Sequence, residues 1–211
     1  DYIERSWAHT TVGYRFEDEN GFVGDLTFPP LTHGLRLNDD VYGQQQLTLG
    51  RLLVIAGARF VHNGAFGNTG VPRVALTLLA LRGGEVFSGT RLRFSYATGF
   101  KEPRLEETFA GPPYSIPNTA LKPERNRAFE AGLLQNLFGN KYSFIATYFN
   151  NLYYDRIDYA SNPVTFIGQY VNVDKSFAQG AEIELQGKIL PRLFLNSAYT
   201  YTSTEILQAP E

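Results

Sequence analysis

The feature that most constrains this chain is an alternation of side-chain character with period two, repeated in long runs. From 90 to 100, Leu92, Phe94, Tyr96, Thr98 and Phe100 project to one side of an extended backbone, and Arg91, Arg93, Ser95, Ala97 and Gly99 to the other. At 5–16, Ala8, Thr10, Val12, Tyr14 and Phe16 alternate in the same way with His9, Thr11, Gly13 and Arg15. At 180–187, Ala181, Ile183 and Leu185 alternate with Glu182, Glu184 and Gln186. Near the end, Leu193, Leu195, Ser197, Tyr199 and Tyr201 alternate with Phe194, Asn196, Ala198, Thr200 and Thr202. Most runs combine an apolar, often aromatic face with a small, polar or charged one. Such strands suit a soluble sheet with one wet face, or a membrane wall whose inner face is wet.

Extending the pattern predicts strands at about 5–16, 40–48, 52–62, 71–81, 90–100, 126–136, 141–154, 169–187 and 192–204. Several exceed the ~5–6 residues common in soluble sheets and approach the ~9–11 of a membrane barrel strand. One helical turn is expected, at Leu105 to Phe109. The connections alternate in length. Those at 49–51, 82–89, 137–140 and 190–192 are short, while 17–39, 63–70, 101–125 and 155–168 are long and polar. Short turns at one end and long loops at the other are the organisation of an outer-membrane barrel. There is no internal repeat of the length that builds propellers or solenoids, and no linker-like stretch. Residues 1–211 are therefore expected to form one all-β domain.

Composition sharpens this by exclusion. Aromatics make up 14% of the chain, with 13 Tyr and 16 Phe, and they recur along the strand-like runs rather than apart from them. With no Cys there are no disulfides, thiolate ligands or thiol nucleophiles. A net charge of -2 without any basic block gives no means of neutralising a phosphate backbone, so no nucleic-acid partner is expected. No window approaches the ~18 consecutive apolar residues of a transmembrane helix. The start at Asp1 carries no secretory leader pattern, and the chain has no Met, which suggests a chain that begins mid-protein.

Catalytic chemistry is not foreseen. His9, His33 and His62 form no H-x-x-x-H pair, so no metal site is expected. Glu17-Asp18-Glu19-Asn20 and Asn38-Asp39-Asp40 flank one long segment without EF-hand spacing and are expected to be solvated acidic loop ends. The serines lie outside any G-x-S-x-G elbow. Glu106-Glu107 is expected on a loop surface, and Glu182 with Glu184 on a hydrated inner face. Enzyme activity and a cofactor are accordingly not expected. Arg15, Arg59, Arg91 and Arg93 fall on the same inner faces, where they would pair with carboxylates or steer anionic ligands. On the proline-stiffened segment 101–125, Arg104 and Tyr114 offer a charge and a ring, and they are the candidate ligand-binding residues.

Several segments carry a more specific resemblance. The run from Arg93 to Pro103, RFSYATGFKEP, is similar to the strand-to-loop pattern S-Y-x-T-G-F-[KR]-x-P of TonB-dependent receptors. Asn118 to Arg125, NTALKPER, resembles that family's N-x-x-L-K-P-E-[RK], and Glu130 and Gly132 match the E-x-G that follows. Asn172, Gly180, Glu182 and Glu184 resemble its N-x-x-x-x-x-x-G-x-E-x-E strand, and Leu193 to Thr202 its L-x-L-x-x-[AS]-Y-T-Y-T. Leu52 to Phe60 is similar to L-x-x-x-A-G-x-R-[YF]. The resemblance is firmest over 90–204.

It implies an antiparallel up-and-down membrane β-barrel of about 22 strands with a plugged lumen, of which this chain would supply about nine. It also implies a Gram-negative-type outer membrane and TonB-energised uptake of a scarce nutrient such as a ferric siderophore or cobalamin. The implied partners are outer-membrane lipid, a metal chelate or other nutrient, and the TonB complex, reached through a plug domain that this sequence lacks. A passive porin-like or structural barrel and a soluble all-β binding module are the alternative expectations.

Overall fold

The computed structural model of the chain describes residues 2–5, 7–173, 175–190 and 192–207. In chain order the elements are β1 (Tyr2–Arg5), β2 (Ala8–Val23), β3 (Thr32–Leu49), β4 (Leu52–Asn63), β5 (Gly67–Arg82), β6 (Phe87–Lys101), α1 (Leu105–Phe109), β7 (Ser115–Ile116), β8 (Glu124–Leu137), β9 (Tyr142–Tyr154), β10 (Arg156–Ser161), β11 (Gly168–Val173), β12 (Ser176–Leu190) and β13 (Leu193–Ile206). Ten strands form one sheet in the order β1-β2-β3-β4-β5-β6-β8-β9-β12-β13. Each pair in it is antiparallel. Nine of these strands are long, as the alternation predicts, and the four-residue β1 adds a short edge.

Four segments differ from the sequence reading, one of them 155–168, where the expected loop holds the strand β10 paired with β11. The segment 17–39 is not a loop: β2 and β3 stay paired from Ala8↔Leu47 to Val23↔Thr32. Likewise 63–70 shrinks to a turn at 64–66 between β4 and β5. The expected strand 169–187 is two strands. Its first part, β11, leaves the large sheet and pairs with β10 and with β7 in a separate three-stranded sheet. The β11–β7 contact is parallel over two residue pairs, against the expectation of wholly antiparallel pairing.

Tight turns after β3, β5, β8 and β12 lie at one end of the sheet, and the other end carries the longer connections together with the short turn at 64–66, in keeping with strand parity. The turn after β8 needs three successive positive φ angles, 52° at Phe138, 65° at Gly139 and 65° at Asn140. Gly and Asn tolerate this region, whereas Phe does so at a cost.

Register fixes the faces. One transverse row runs Leu78–Leu92–Leu133–Ala146–Ile183–Tyr199, and the next runs Thr77–Arg93–Gly132–Thr147–Glu182–Thr200. The apolar face is uncovered: Phe94 is 45% exposed, Ile183 43% and Tyr199 65%. Among the described residues Val61 and Leu121 are the buried aliphatic side chains, so the molecule has no hydrophobic core of its own. A soluble domain of this length would turn these leucines and rings inward. The polar face is concave and encloses about 550 Å³ lined in part by Arg93, Ser95, Glu130, Thr147 and Glu182. Arg93 and Glu182 thus occupy the hydrated side expected for them, and Phe94 and Ile183 the opposite one.

Candidate functional site

Burial concentrates at the end that carries the long connections. The segment 102–123 leaves β6, makes the single turn α1, passes through β7 and returns to β8. It lies against the hairpin of β2 and β3 because Gly21 and Gly34 face each other across that pair. A Cβ on Gly34 would come within 2.9 Å of Phe109 Cδ2 and 3.3 Å of Leu105 Cδ2. Two missing side chains therefore make a seat for Leu105 and Phe109.

A polar network pins the start of the segment. Arg36, on β3 and 14% exposed at its side chain, ion-pairs with Glu102 at 3.2 Å. It also donates to the Glu19 carboxylate and to the Pro103 carbonyl. Asn38 Nδ2 donates to Glu102 Oε2 at 2.8 Å, and Asn63 Nδ2 donates to Asn38 Oδ1. Asn63 Oδ1 in turn accepts the Ala65 amide at 2.7 Å, which holds the turn between β4 and β5. Asn38, Asp40 and Asn63 are buried, so the stretch Asn38-Asp39-Asp40 is not the solvated loop end expected from its composition. The register places these residues on the concave face, where loop 102–123 covers them.

Glu107 is the second correction. It is not on the loop surface but 4% exposed, and it accepts the Arg104 amide at 2.7 Å and Arg104 Nε at 2.9 Å. Lys101 Nζ lies 3.7 Å from Glu107 and 3.3 Å from Glu124. The hydrogen bond to Glu107, reinforced by its charge, holds the Arg104 guanidinium above its ordinary pKa. Arg104 is thus oriented by the turn it begins, while its side chain stays 62% exposed. Tyr114 is 59% exposed and packs edge-on to Phe28 at a ring separation of 6.2 Å. Its carbonyl accepts the Tyr159 hydroxyl at 2.6 Å, and Tyr159 stacks edge-on with Tyr170 at 5.0 Å. Burial pushes the Tyr170 phenol up.

The two long connections are stitched together by amides. Asn172 accepts from the Lys122 amide at 2.8 Å and donates to the Lys122 carbonyl at 2.8 Å, and Asn118 Nδ2 donates to the Tyr170 carbonyl at 2.8 Å. Arg104 and Tyr114 therefore stand on one ordered layer, although no hydrogen bond, ion pair or ring contact joins them among the described residues. Sequence reasoning singled out Arg104 and Tyr114 as candidates, set Glu107 on the loop surface, read Asn172 only as part of a motif and passed over Arg36, and these last three hold the layer in place. The N-x-x-L-K-P-E-R motif contains one signal for it, since Asn118 and Lys122 are two of the stitching residues.

The turn at 25–27 gives a pH-dependent expectation. Hydrogen bonds from the Thr27 hydroxyl and amide hold the Asp25 carboxyl below its usual range. A folded pKa below the unfolded one means that this contribution to the turn is present above the unfolded value. It is lost as pH falls through the folded value. Protection of the Thr27 amide, taken relative to its intrinsic exchange rate at each pH, should fall across that acid window and should stay constant there in an Asp25→Asn variant. Equal acid sensitivity in both proteins would remove Asp25 as the cause.

The profile of the family described as TonB dependent receptor-like, beta-barrel matches residues 3–210. Among solved structures, the siderophore receptor PirA from Pseudomonas aeruginosa aligns with a TM-score of 0.79 at 20% identity, covering 97% of this chain and 38% of that one. A variant of the ferric enterobactin receptor PfeA from Pseudomonas aeruginosa, in complex with enterobactin, gives 0.76 at 17% identity over 96% of this chain and 34% of its own. The RagAB peptide transporter gives 0.75 at 15% identity, over 99% and 29%. The chain thus spans between 29% and 38% of these three proteins' chains. Comparison with curated proteins gave no match. At these identities the solved structures speak for the fold, and the sequence profile, which covers nearly the whole chain, speaks for descent: this chain belongs to the TonB-dependent receptor-like β-barrel family.

Proposed function

We propose that this chain forms part of the wall of an outer-membrane receptor that imports a scarce nutrient with energy delivered through TonB. The observation that carries the reading is the uncovered apolar face, continuous across the sheet and backed by a concave polar face. Lipid is the solvent that such a face suits. An open sheet in hydrocarbon would leave edge N–H and C=O groups unpaired at several kcal/mol each, so further strands complete the barrel. A plug domain elsewhere in the intact protein would make the TonB contact. The favoured ligand is a ferric siderophore. Arg104 and Tyr114 supply a cation and an exposed ring at the loop end, chemistry suited to an anionic, often aromatic chelate.

The test is uptake of a radiolabelled ferric siderophore by cells carrying the intact receptor, with and without TonB. Uptake should require TonB, and Arg104→Ala/Tyr114→Ala should weaken binding by about tenfold or more, the equivalent of losing ~1.4 kcal/mol. Uptake independent of TonB would establish a passive channel instead. Unchanged binding in the double variant would remove these two residues from recognition.

A further inference from the structure

Glutamines stand in the outward face of this wall, and they meet their hydrogen-bonding needs in two ways. One transverse row runs Thr10–Gln45–Ala56–Val74–Tyr96–Phe129–Asn150–Gln179–Ser203. It lies on the outward face, where Val74, Tyr96 and Phe129 are exposed. Gln45 closes its amide on its own wall. Its Oε1 accepts the Thr10 hydroxyl, and its Nε2 donates to the His9 and Gln46 carbonyls at 3.1 Å each. Gln135, two residues along β8 from the outward-facing Leu133, repeats the arrangement with Thr90 as donor and the Gly89 and Asn136 carbonyls as acceptors. Both amides are satisfied without any neighbour from outside.

Gln179 departs from this arrangement. Its Oε1 accepts Asn150 Nδ2 at 3.2 Å and the Tyr148 hydroxyl at 3.3 Å. Both N–H groups of Gln179 and the side-chain oxygen of Asn150 are left without a hydrogen-bond partner among the described residues. Tyr148 is the central residue of β9 and shares a row with Phe94 and Ala131, so the amide pair sits one row from the middle of the wall. At that depth lipid offers neither donor nor acceptor, and an unpaired amide group is expensive.

The groups left over complement each other: donors on Gln179 and an acceptor on Asn150. A two-fold axis along the membrane normal keeps every residue at its own depth and sets residue i of one copy against residue j of the other. It therefore brings the Gln179 amide of one copy to the Asn150 oxygen of the second, twice over. The shape beside the pair permits close approach. The adjoining row reads Ala131–Tyr148–Ala181–Tyr201, small alternating with large, and small side chains let two walls come together in lipid. An unrelated partner would need matching amides at this depth, whereas a second copy carries them by construction.

We propose that the outward face of β9 and β12 binds a second copy of the receptor side by side in the membrane, through reciprocal amide hydrogen bonds between Gln179 and Asn150. The proposal rests on the reading of the chain as a membrane wall. It is separate from the loop layer that carries Arg104 and Tyr114.

The test uses the intact receptor, labelled in two colours and reconstituted in vesicles, with energy transfer followed as lipid is added. A hydrogen bond across a membrane interface contributes about threefold to association, so Asn150→Leu, which removes two of them from the pair, should weaken pairing about tenfold. Gln179→Leu should do the same. Gln45→Leu, on the same row but closed on its own wall, should leave pairing unchanged. Heat-modifiable gel migration reports whether each variant keeps its barrel. A second readout needs no change to the amides: Ala181→Cys, beside Gln179 on the outward face, should link two copies when oxidised with copper phenanthroline, and Leu78→Cys on β5 should not. Should both leucine variants fail to fold, this cross-link carries the test. Three results would overturn the proposal: no energy transfer at any dilution, pairing that survives both leucine substitutions, or no Ala181→Cys cross-link. A Gln45→Leu loss as large as that of Asn150→Leu would overturn it too. So would a receptor that is single when purified and cross-links in cells to a different membrane protein, since the occupant would not be a second copy. An unaltered receptor that fails to insert into bilayers at all would overturn the membrane reading itself, a result distinct from insertion without pairing.

Discussion

Phe94→Arg will destabilise the intact barrel in lipid bilayers by about 2–4 kcal/mol, the cost of placing an arginine near the midplane of a lipid-facing wall. Phe94 is the central residue of β6 and lies on the outer face between Leu76 and Ala131. Its neighbour Ser95 faces the concave side, where its hydroxyl donates to Glu130 at 3.3 Å. Ser95→Arg therefore introduces the same charge one residue away, into a hydrated space beside a carboxylate. Its expected cost is below about 1 kcal/mol. Denaturant titration in large vesicles, followed by tryptophan fluorescence, compares the two. Equal costs would mean that the faces are wrongly assigned. A larger cost for Ser95→Arg would invert them. Because the two sites are adjacent in sequence, differences in strand propensity cannot account for a gap of this size.

Arg36→Met will release segment 102–123 from the wall while leaving the wall folded. The arginine satisfies Glu19, Glu102 and the Pro103 carbonyl at once, and Glu102 is 19% exposed at its side chain. Removing the cation leaves two carboxylates near one another with a single amide, that of Asn38, donating to Glu102. Breaking one partner of a buried pair costs ~3–5 kcal/mol, and partial exposure brings the expectation to about 3 kcal/mol. That corresponds to roughly a hundredfold rise in the open population of the segment. Limited proteolysis near Pro112 and hydrogen exchange at Leu105–Phe109 would both report it. Protection should be recovered in part by Arg36→Lys, which restores the charge without the forked geometry. Unchanged protection in Arg36→Met would show that the Gly21–Gly34 seat alone holds the segment.

The wall was legible in the sequence because its physics is local. A strand between lipid and water must alternate, and the alternation of 90–100 or 180–187 names both faces without any knowledge of neighbours. The ends of β2 and β3 were not legible, because Glu17 to Gly21 and Asn38 to Asp40 interrupt the apolar pattern with acidic, amide and glycine residues before Phe22, Leu35 and Leu37 take it up again. Backbone pairing continues unbroken through that interruption. The division between β11 and β12 was hidden for the opposite reason, since Tyr170 to Val173 alternates as well as a wall strand does. Arg104 and Tyr114 stood out as residue types on a stiff loop. Their supports did not, because Arg36 meets Pro103 across 67 positions and Asn172 meets Lys122 across 50. Glycines 21 and 34 acquire meaning only once register sets them opposite each other.

The placement of the tight turns has a consequence for how such a protein is built and how it varies. Each turn closes one pair, β3 with β4, β5 with β6, β8 with β9 and β12 with β13, so four compact hairpins are the units of the wall. Isolated hairpins of this kind form within about 1–10 μs, and each can be presented to the growing sheet already in register. β4 and β5 are joined by the short turn 64–66, whereas the longer connections after β6 and β9 join one unit to the next without that registration. Doubling the length of a flexible connection adds only about 0.6 kcal/mol of closure entropy. Inheritance can therefore lengthen, shorten or exchange the long connections while the hairpin units remain the same, so that the segments at this end of the sheet can change faster than the wall.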